Sequence, residues 1–380
     1  FTANVKALSF SRYGFCREEA REIKVNFGEN MSNGLLKIVV SDDGNIVITD
    51  KNGVKAEFYP TMDIDDGDSY TCANKAAKPS SKADEVVVGE TTGCELYSEK
   101  EVKYEFKNAG INKKSVVLCL KIRLDKDDDK AKITAKITNE NCYGFRLGLT
   151  QKVDGNVGFT YADTPFDLVK RPINTKRDSS RDIFTCSLKN VAAIPQKTGV
   201  TAVFSKSFYE YEAWKTEEGE TFVRYTLLRS TEKVYDTYLP TKDESGAGIG
   251  MRWRSESLKM LGNHEFEFAV KLYDELKPAT EILADALKYQ RPPIVKGISP
   301  DGNADISKFM GFSLDGAAFS RIIEREEGDK KVLSVRIYNP CDSEVTATLK
   351  YGKAEIKVVL PAGKIEEVDL NKAFGGRFCL

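Results

Sequence analysis

Leu35-Leu36-Lys37-Ile38-Val39-Val40-Ser41-Asp42-Asp43-Gly44-Asn45-Ile46-Val47-Ile48-Thr49-Asp50-Lys51-Asn52-Gly53 is the stretch that decides the fold. Leu35, Lys37 and Val39 alternate with Leu36, Ile38 and Val40, which predicts a strand buried on both faces; Val116 to Ile122 predicts another. Asp42-Asp43-Gly44-Asn45 tolerates left-handed backbone and closes a hairpin onto Ile46–Thr49, and Lys51-Asn52-Gly53 follows as a second turn.

Working outward, the same punctuation recurs. Lys113 to Asp125 and Ala131 to Thr138 form a strand pair around Lys126-Asp127-Asp128-Asp129-Lys130, which reads as a charged loop tip in preference to a metal loop. Val200–Ser205, Phe222–Leu228 and Glu265–Leu272 are later strands bounded by turn residues. Many β-branched and aromatic strands with few helical patterns predict a large antiparallel sandwich. One helix is expected, Ala279 to Tyr289, with Ile282, Leu283, Ala286 and Leu287 on one face and Pro292-Pro293 forbidding continuation; it is expected to close the main domain. Lys296-Gly297-Ile298-Ser299-Pro300-Asp301-Gly302-Asn303 has linker composition, and a second set of strands begins near Phe309. Val332–Tyr338, Val345–Lys350 and Ala354–Leu360 then suggest a small terminal sandwich of immunoglobulin size. The expected division is an entering segment over 1–26, a large domain over 27–295 and a small sandwich over 304–380.

Composition removes several function classes. The chain has 380 residues, 41% hydrophobic and 30% charged, and no apolar run approaches the roughly 18 residues that cross a bilayer. Lys+Arg 57 against Asp+Glu 58 leaves a net charge of -1, so no basic field recruits nucleic acid or an anionic membrane. The eight cysteines contain no C-x-x-C pair and are expected to be free, mostly buried thiols. Phe1-Thr2-Ala3-Asn4-Val5 reads as an internal cut, and the compartment expected is the cytoplasm.

His264 is the sole histidine, so neither a two-His zinc site nor a dyad with a second His can be built. The strand period around it turns Phe266, Phe268 and Val270 inward and Glu265 and Glu267 outward. Those glutamates sit near glycosidase spacing, although exposed alternating glutamates are commonplace. Asp63-Ile64-Asp65-Asp66-Gly67-Asp68-Ser69-Tyr70 is the densest polar cluster. It is either a loop offering carboxylates and a phenol to sugar hydroxyls or a solvated acidic turn; an EF-hand fails for want of the bidentate Glu. Arg229 has the parity of Val223, Tyr225 and Leu227, and is either a buried, paired guanidinium or a strand-end residue lining a cleft.

Several collinear segments resemble the C-terminal region of family-38 glycoside hydrolases, the retaining α-mannosidases. Glu29-Asn30 through Asn33-Gly34-Leu35-Leu36-Lys37-Ile38, then Asp43-Gly44-Asn45-Ile46 to Asp50-Lys51-Asn52-Gly53, are similar to the family's opening hairpin. Asp66-Gly67-Asp68-Ser69-Tyr70 resembles its "GD.Y" loop, and Tyr161-Ala162-Asp163-Thr164-Pro165-Phe166 to Lys170-Arg171-Pro172 its "D.PFG…RP" element. Gly199–Val203 with Tyr209-Glu210-Tyr211-Glu212, Phe222–Ser230 and Gly262–Ala269 extend the likeness. Val5–Phe10 to Tyr13 resembles an entering strand, so coverage runs from about residue 5 to 370. The chain departs from the family at Asp167, where Gly is usual, and in Gly144-Phe145-Arg146-Leu147, where "HRLR" is usual.

The resemblance implies an all-β chain: a large antiparallel supersandwich of the galactose-mutarotase-like kind with one closing helix, then a small immunoglobulin-like β-sandwich. It implies that zinc, its ligands and the Asp nucleophile belong to a preceding N-terminal catalytic domain of the same polypeptide. This chain would hold no cofactor and no catalytic residue, and would meet that domain and a mannose-containing saccharide. Asp68 and Tyr70 match a loop that approaches the sugar; Arg171 and Arg229 are further substrate-binding candidates. Two other readings are a free-standing carbohydrate-binding module stacking sugar on Tyr70, Trp214 or Trp253, and a mutarotase-like epimerase needing a His and Glu pair.

Overall fold

The computed structural model describes Ser11 and residues 31–73, 80–173, 185–236, 252–294, 311–327 and 330–375. The entering segment 1–26, Ser11 apart, and the linker 296–303 lie outside the described residues. Two compact units result: Ile23–Ala162 with Lys170–Leu276, and Phe1–Glu22 with Asp163–Val169 and Lys277–Leu380.

The larger unit is built on two antiparallel sheets. The first runs Met31–Ser32, Leu36–Val40, Ile46–Asp50, Lys55–Ile64, Phe145–Val153, Thr221–Ser230, Glu210–Lys215, Thr185–Ser187. The second, nine-stranded, includes Val191–Pro195, Val200–Ser205, Gly262–Tyr273, Lys130–Asn139, Lys114–Asp125, Tyr97–Ala109 and Glu85–Cys94 as consecutive neighbours. One core fills the space between them, with Ile38, Ile48, Phe58, Leu147, Leu149 and Tyr225 from the first sheet and Phe106, Leu118, Leu120, Ile133, Val203 and Phe268 from the second. That is the large antiparallel sandwich expected from the period-2 patterning.

The opening hairpin closes as its sequence requires. Gly44 sits at φ 79° in the left-handed region. A Cβ there would stand 2.5 Å from the Tyr104 ring, whose hydroxyl donates to the Gly44 carbonyl at 2.6 Å. Leu36–Val40 and Val116–Ile122 are, however, buried on one face only: Lys37 is exposed, and Val117, Cys119 and Lys121 are half-buried. An antiparallel sandwich leaves the outer face of each sheet to solvent, which an unbroken apolar run conceals. Val200–Ser205 is buried throughout, as are most of Val191–Pro195, Phe145–Val153 and Thr221–Ser230.

The charged tip at Lys126–Lys130 carries ion pairs: Lys130 with Asp129 at 2.6 Å, Lys132 with Asp125 at 2.6 Å, and Lys271 with Asp129 at 2.7 Å. Six described cysteines are free, but only Cys142 is buried, because the others sit on half-open strand faces or in turns.

In the smaller unit the helix Ala279–Gln290 buries Ile282, Leu283 and Ala286, stops before Pro292, and packs on the strand Ala318–Glu327. The helix thus groups with the C-terminal strands. These form two three-stranded antiparallel sheets, Phe312–Asp315, Val345–Tyr351, Ala354–Leu360 and Ala318–Glu327, Lys330–Tyr338, Ile365–Asp369. They share a core of Phe312, Val335, Ile337, Leu349, Tyr351 and Leu360.

Candidate functional site

The site grows from the middle of the first sheet. In Lys55–Ile64, Phe145–Val153 and Thr221–Ser230, alternate residues enter the core, so Asp63, Arg146 and Arg224 point to the opposite face. They are buried there all the same, at 2%, 1% and 0% exposure. Arg146 Nη2 donates to Glu210 at 3.0 Å and to Thr226 Oγ1 at 3.1 Å, and its Nη1 lies 3.5 Å from Glu212. Arg224 Nη2 lies 2.5 Å from both Asp63 and Glu212. Among the described residues, Nε of Arg146 and Nε and Nη1 of Arg224 find no hydrogen-bond acceptor. Burial opposes the charge on Arg146, but Glu212, Cys72 and Glu210 outweigh it and hold its pKa above the ordinary arginine range. Burial is also the chief influence on the Cys72 thiol, pushing it up to about 11, so Cys72 is no nucleophile at neutral pH.

Leu227 is an extra residue in its strand. Thr226 pairs with Gly148 and Leu228 with Leu147, so the ladder slips by one. The expected parity of Arg229 with Val223, Tyr225 and Leu227 therefore fails. The bulge turns Arg229 onto the face of Arg146, its ladder partner, and towards the loop that follows Ile64.

That loop, 65–73, is fastened from inside. Arg229 Nε donates to Asp65 Oδ2 at 2.6 Å, and its Nη2 to the carbonyls of Asp68 at 2.6 Å and Thr71 at 3.1 Å. Asp65 Oδ1 accepts from the backbone N–H of Gly67 and of Ala73. Asp68 is fully buried, and its Oδ1 accepts from the N–H of Tyr70 and of Thr71. Thr231 Oγ1 donates to the Gly67 carbonyl and Lys233 Nζ to that of Asp66. Gly67 is obligatory: a Cβ would lie 1.9 Å from the Thr71 oxygen. Tyr70 is displayed at the tip, 77% exposed, against the ring of Tyr235.

Sequence reasoning marked Asp68, Tyr70, Arg171 and Arg229. Asp68, Tyr70 and Arg229 meet in this loop, but only Tyr70 offers a large open surface, while the other two shape its support. Arg171 is elsewhere: it donates to the Ser187 carbonyl and, at 3.4 Å, to Ser187 Oγ, joining an edge strand of the second sheet to one of the first. Glu265 and Glu267 are exposed and paired with Lys136 and Lys206. Half-buried His264 has Nε2 2.9 Å from the Met260 carbonyl oxygen. The Glu210–Arg146–Glu212–Arg224–Asp63 network escaped the sequence reading; the signal available was two arginines inside apolar strand runs, which burial permits only when paired.

The sequence profile described as "Glycosyl hydrolases family 38 C-terminal domain" matches residues 31–236, more than half of the chain. The chain belongs to glycosyl hydrolase family 38, as a C-terminal domain. Two solved structures share the fold. An alpha-mannosidase from Enterococcus faecalis V583 superposes with a TM-score of 0.71 at 14% identity, over 90% of this chain and 42% of that one. A glycosyl hydrolase family 38 protein from Enterococcus faecalis gives 0.72 at 12% identity, over 90% of this chain and 44% of that one. This family-38 chain thus spans less than half the length of either neighbour. No curated protein matches it. The matched stretch contains the whole of loop 65–73, both buried arginines and Arg229.

Proposed function

We propose that this chain is the C-terminal, substrate-shaping and structural half of a retaining, zinc-dependent α-mannosidase acting on mannose-containing oligosaccharides. The observation that carries the reading is the braced loop that holds Tyr70 outward, within the stretch matched by the family. A phenol on a rigid tip can donate to or accept from a sugar hydroxyl and lay its ring against C–H groups. Asp65, Asp68, Gly67 and Arg229 fix where that phenol stands; none of them reacts.

The described residues do not suit a catalytic metal. No group of three or more His, Cys, Asp or Glu among them could hold one. No step through zinc is therefore assigned to this chain. Double displacement needs a nucleophilic carboxylate and an acid–base carboxyl facing one glycosidic bond. In this proposal both belong to the preceding catalytic domain, and Tyr70 supplies part of the wall they work against.

The test compares this chain with a longer polypeptide carrying the preceding domain. The longer form is expected to hydrolyse an aryl α-mannoside and to lose turnover on chelation, while this chain alone stays inactive with added zinc. Zinc-dependent turnover by the 380-residue chain itself would reject the division of labour.

A further inference from the structure

Beside the loop runs a two-stranded ribbon, Lys233–Asp236 paired with Arg252–Arg254, in which Tyr235 stands opposite Trp253. Residues directly opposed in an antiparallel pair project from the same side, with Cβ atoms about 5 Å apart. Tyr235 also meets Tyr70 edge to face, ring centroids 6.0 Å apart at 83°. Tyr235 thus links two open rings, Tyr70 at 77% and Trp253 at 64% exposure, in one set of three aromatic residues. The other tryptophan behaves differently: Trp214 is half-buried and stacked on Phe222.

The set is held firmly. Ser69 N–H donates to the Lys233 carbonyl and Ser69 Oγ to that of Val234, which lock the loop to one strand of the ribbon. Arg254 pairs with Glu232 at 2.8 Å, and Ser255 N–H donates to the Glu232 carbonyl, which lock the other strand. Charged residues flank the rings along the chain: Lys233 Nζ donates to the Asp66 carbonyl and Arg254 pairs with Glu232. A protein-docking face of this size is apolar and contiguous. Open ring faces among charged hydrogen-bonding groups suit a ligand that alternates C–H faces with hydroxyls, which is a saccharide.

We propose that Trp253 and Tyr70 form a two-ring platform for an oligosaccharide, with Trp253 taking a sugar unit beyond the one that meets Tyr70. Two separate open rings can each take one sugar unit, so the platform favours a chain of sugars over a single residue. This inference rests on the reading of the chain as part of an α-mannoside hydrolase.

Because Trp214 and Trp253 are the only tryptophans, Trp214→Phe leaves Trp253 as the sole indole. The 380-residue chain with that substitution is titrated with α-linked mannotriose and with methyl α-mannoside while its emission is followed. The expected result is a saturable change with a half-saturation about 2- to 12-fold lower for the trisaccharide, the increment of one extra aromatic contact. Tyr70→Ala in the same background raises the trisaccharide value by a similar factor. Should Trp214→Phe not fold, the two indole N–H resonances of the unmodified chain give the same readout, with only that of Trp253 moving. No saturable change at Trp253, equal half-saturation for the two sugars, or indifference to Tyr70→Ala would each overturn the platform. Trisaccharide binding here alongside an inert longer polypeptide would instead refute the α-mannosidase reading and leave the platform standing.

Discussion

Replacing Arg229 by Met keeps an unbranched apolar stem and removes the guanidinium contacts that tie loop 65–73 to the strand Thr221–Ser230. The lost contacts are one ion pair to buried Asp65 at 2.6 Å and two bonds from one Nη2 to the carbonyls of Asp68 and Thr71. Hydrogen bonds involving a charged partner contribute about 1.5–3 kcal/mol each, and three that share one guanidinium do not add. With Arg229 one-fifth exposed, a net loss of about 3 kcal/mol in loop stability is reasonable, or roughly 150-fold in a local opening constant. The assay is native-state hydrogen exchange at the amides of Gly67, Tyr70, Thr71 and Ala73, all bound to carboxylates within the loop. Those four should exchange faster by that factor, while the core amides of Leu147 and Leu149 do not change. Arg229→Lys, with charge but no fork, should fall between. Unchanged exchange at Gly67 and Ala73 in Arg229→Met would show that the loop holds itself and that Arg229 is incidental.

Gly67→Ala should destabilise the same loop by about 1–3 kcal/mol, the usual cost of overpacking, and a thermal melt with exchange at Thr71 would register it. Arg224→Met takes the Arg224 cation from buried Asp63 and leaves Glu212 with Arg146, and should cost about 3–5 kcal/mol in denaturant unfolding of the larger unit. In the longer polypeptide, Tyr70→Phe should lower kcat/KM for an α-mannoside with the melting temperature unchanged; unaltered kinetics would reject a sugar-facing Tyr70. Asp125 and Asp129 are opposed by burial but held below the usual carboxylate range, Asp125 by Lys132 and Arg123 and Asp129 by Lys130 and Lys271. A carboxyl with a lowered folded pKa adds stability above its unfolded value near 3.9, and that stability is lost as pH falls through the folded value. Asp125→Asn with Asp129→Asn should therefore flatten the acid limb of a stability profile below about pH 4.

The strand ladder was legible because its signals are local. Leu36–Val40 and Ala354–Leu360 carry the period, and Gly44 marks a turn that only glycine suits. Loop 65–73 could be picked out because acids, Gly67 and Tyr70 crowd into a few positions. What the acids do could not be read, since Asp65 and Asp68 spend their oxygens on backbone N–H groups and on Arg229, more than 150 residues away in sequence. The buried network was hidden for the same reason: Glu212 and Arg224 become neighbours only through strand pairing. The face of Arg229 was misread because periodicity assumes an unbroken ladder.

Leu227, the residue that breaks that ladder, works as a phase shifter. One residue inserted between Leu228 and Arg229 would undo that shift and send the Arg229 guanidinium towards hydrocarbon, while Asp65 lost its cation. Loop tips such as Asp127–Asp129 can change length at little cost. This strand cannot, so length variation among related sequences should be tolerated on either side of Thr221–Ser230 and selected against inside it.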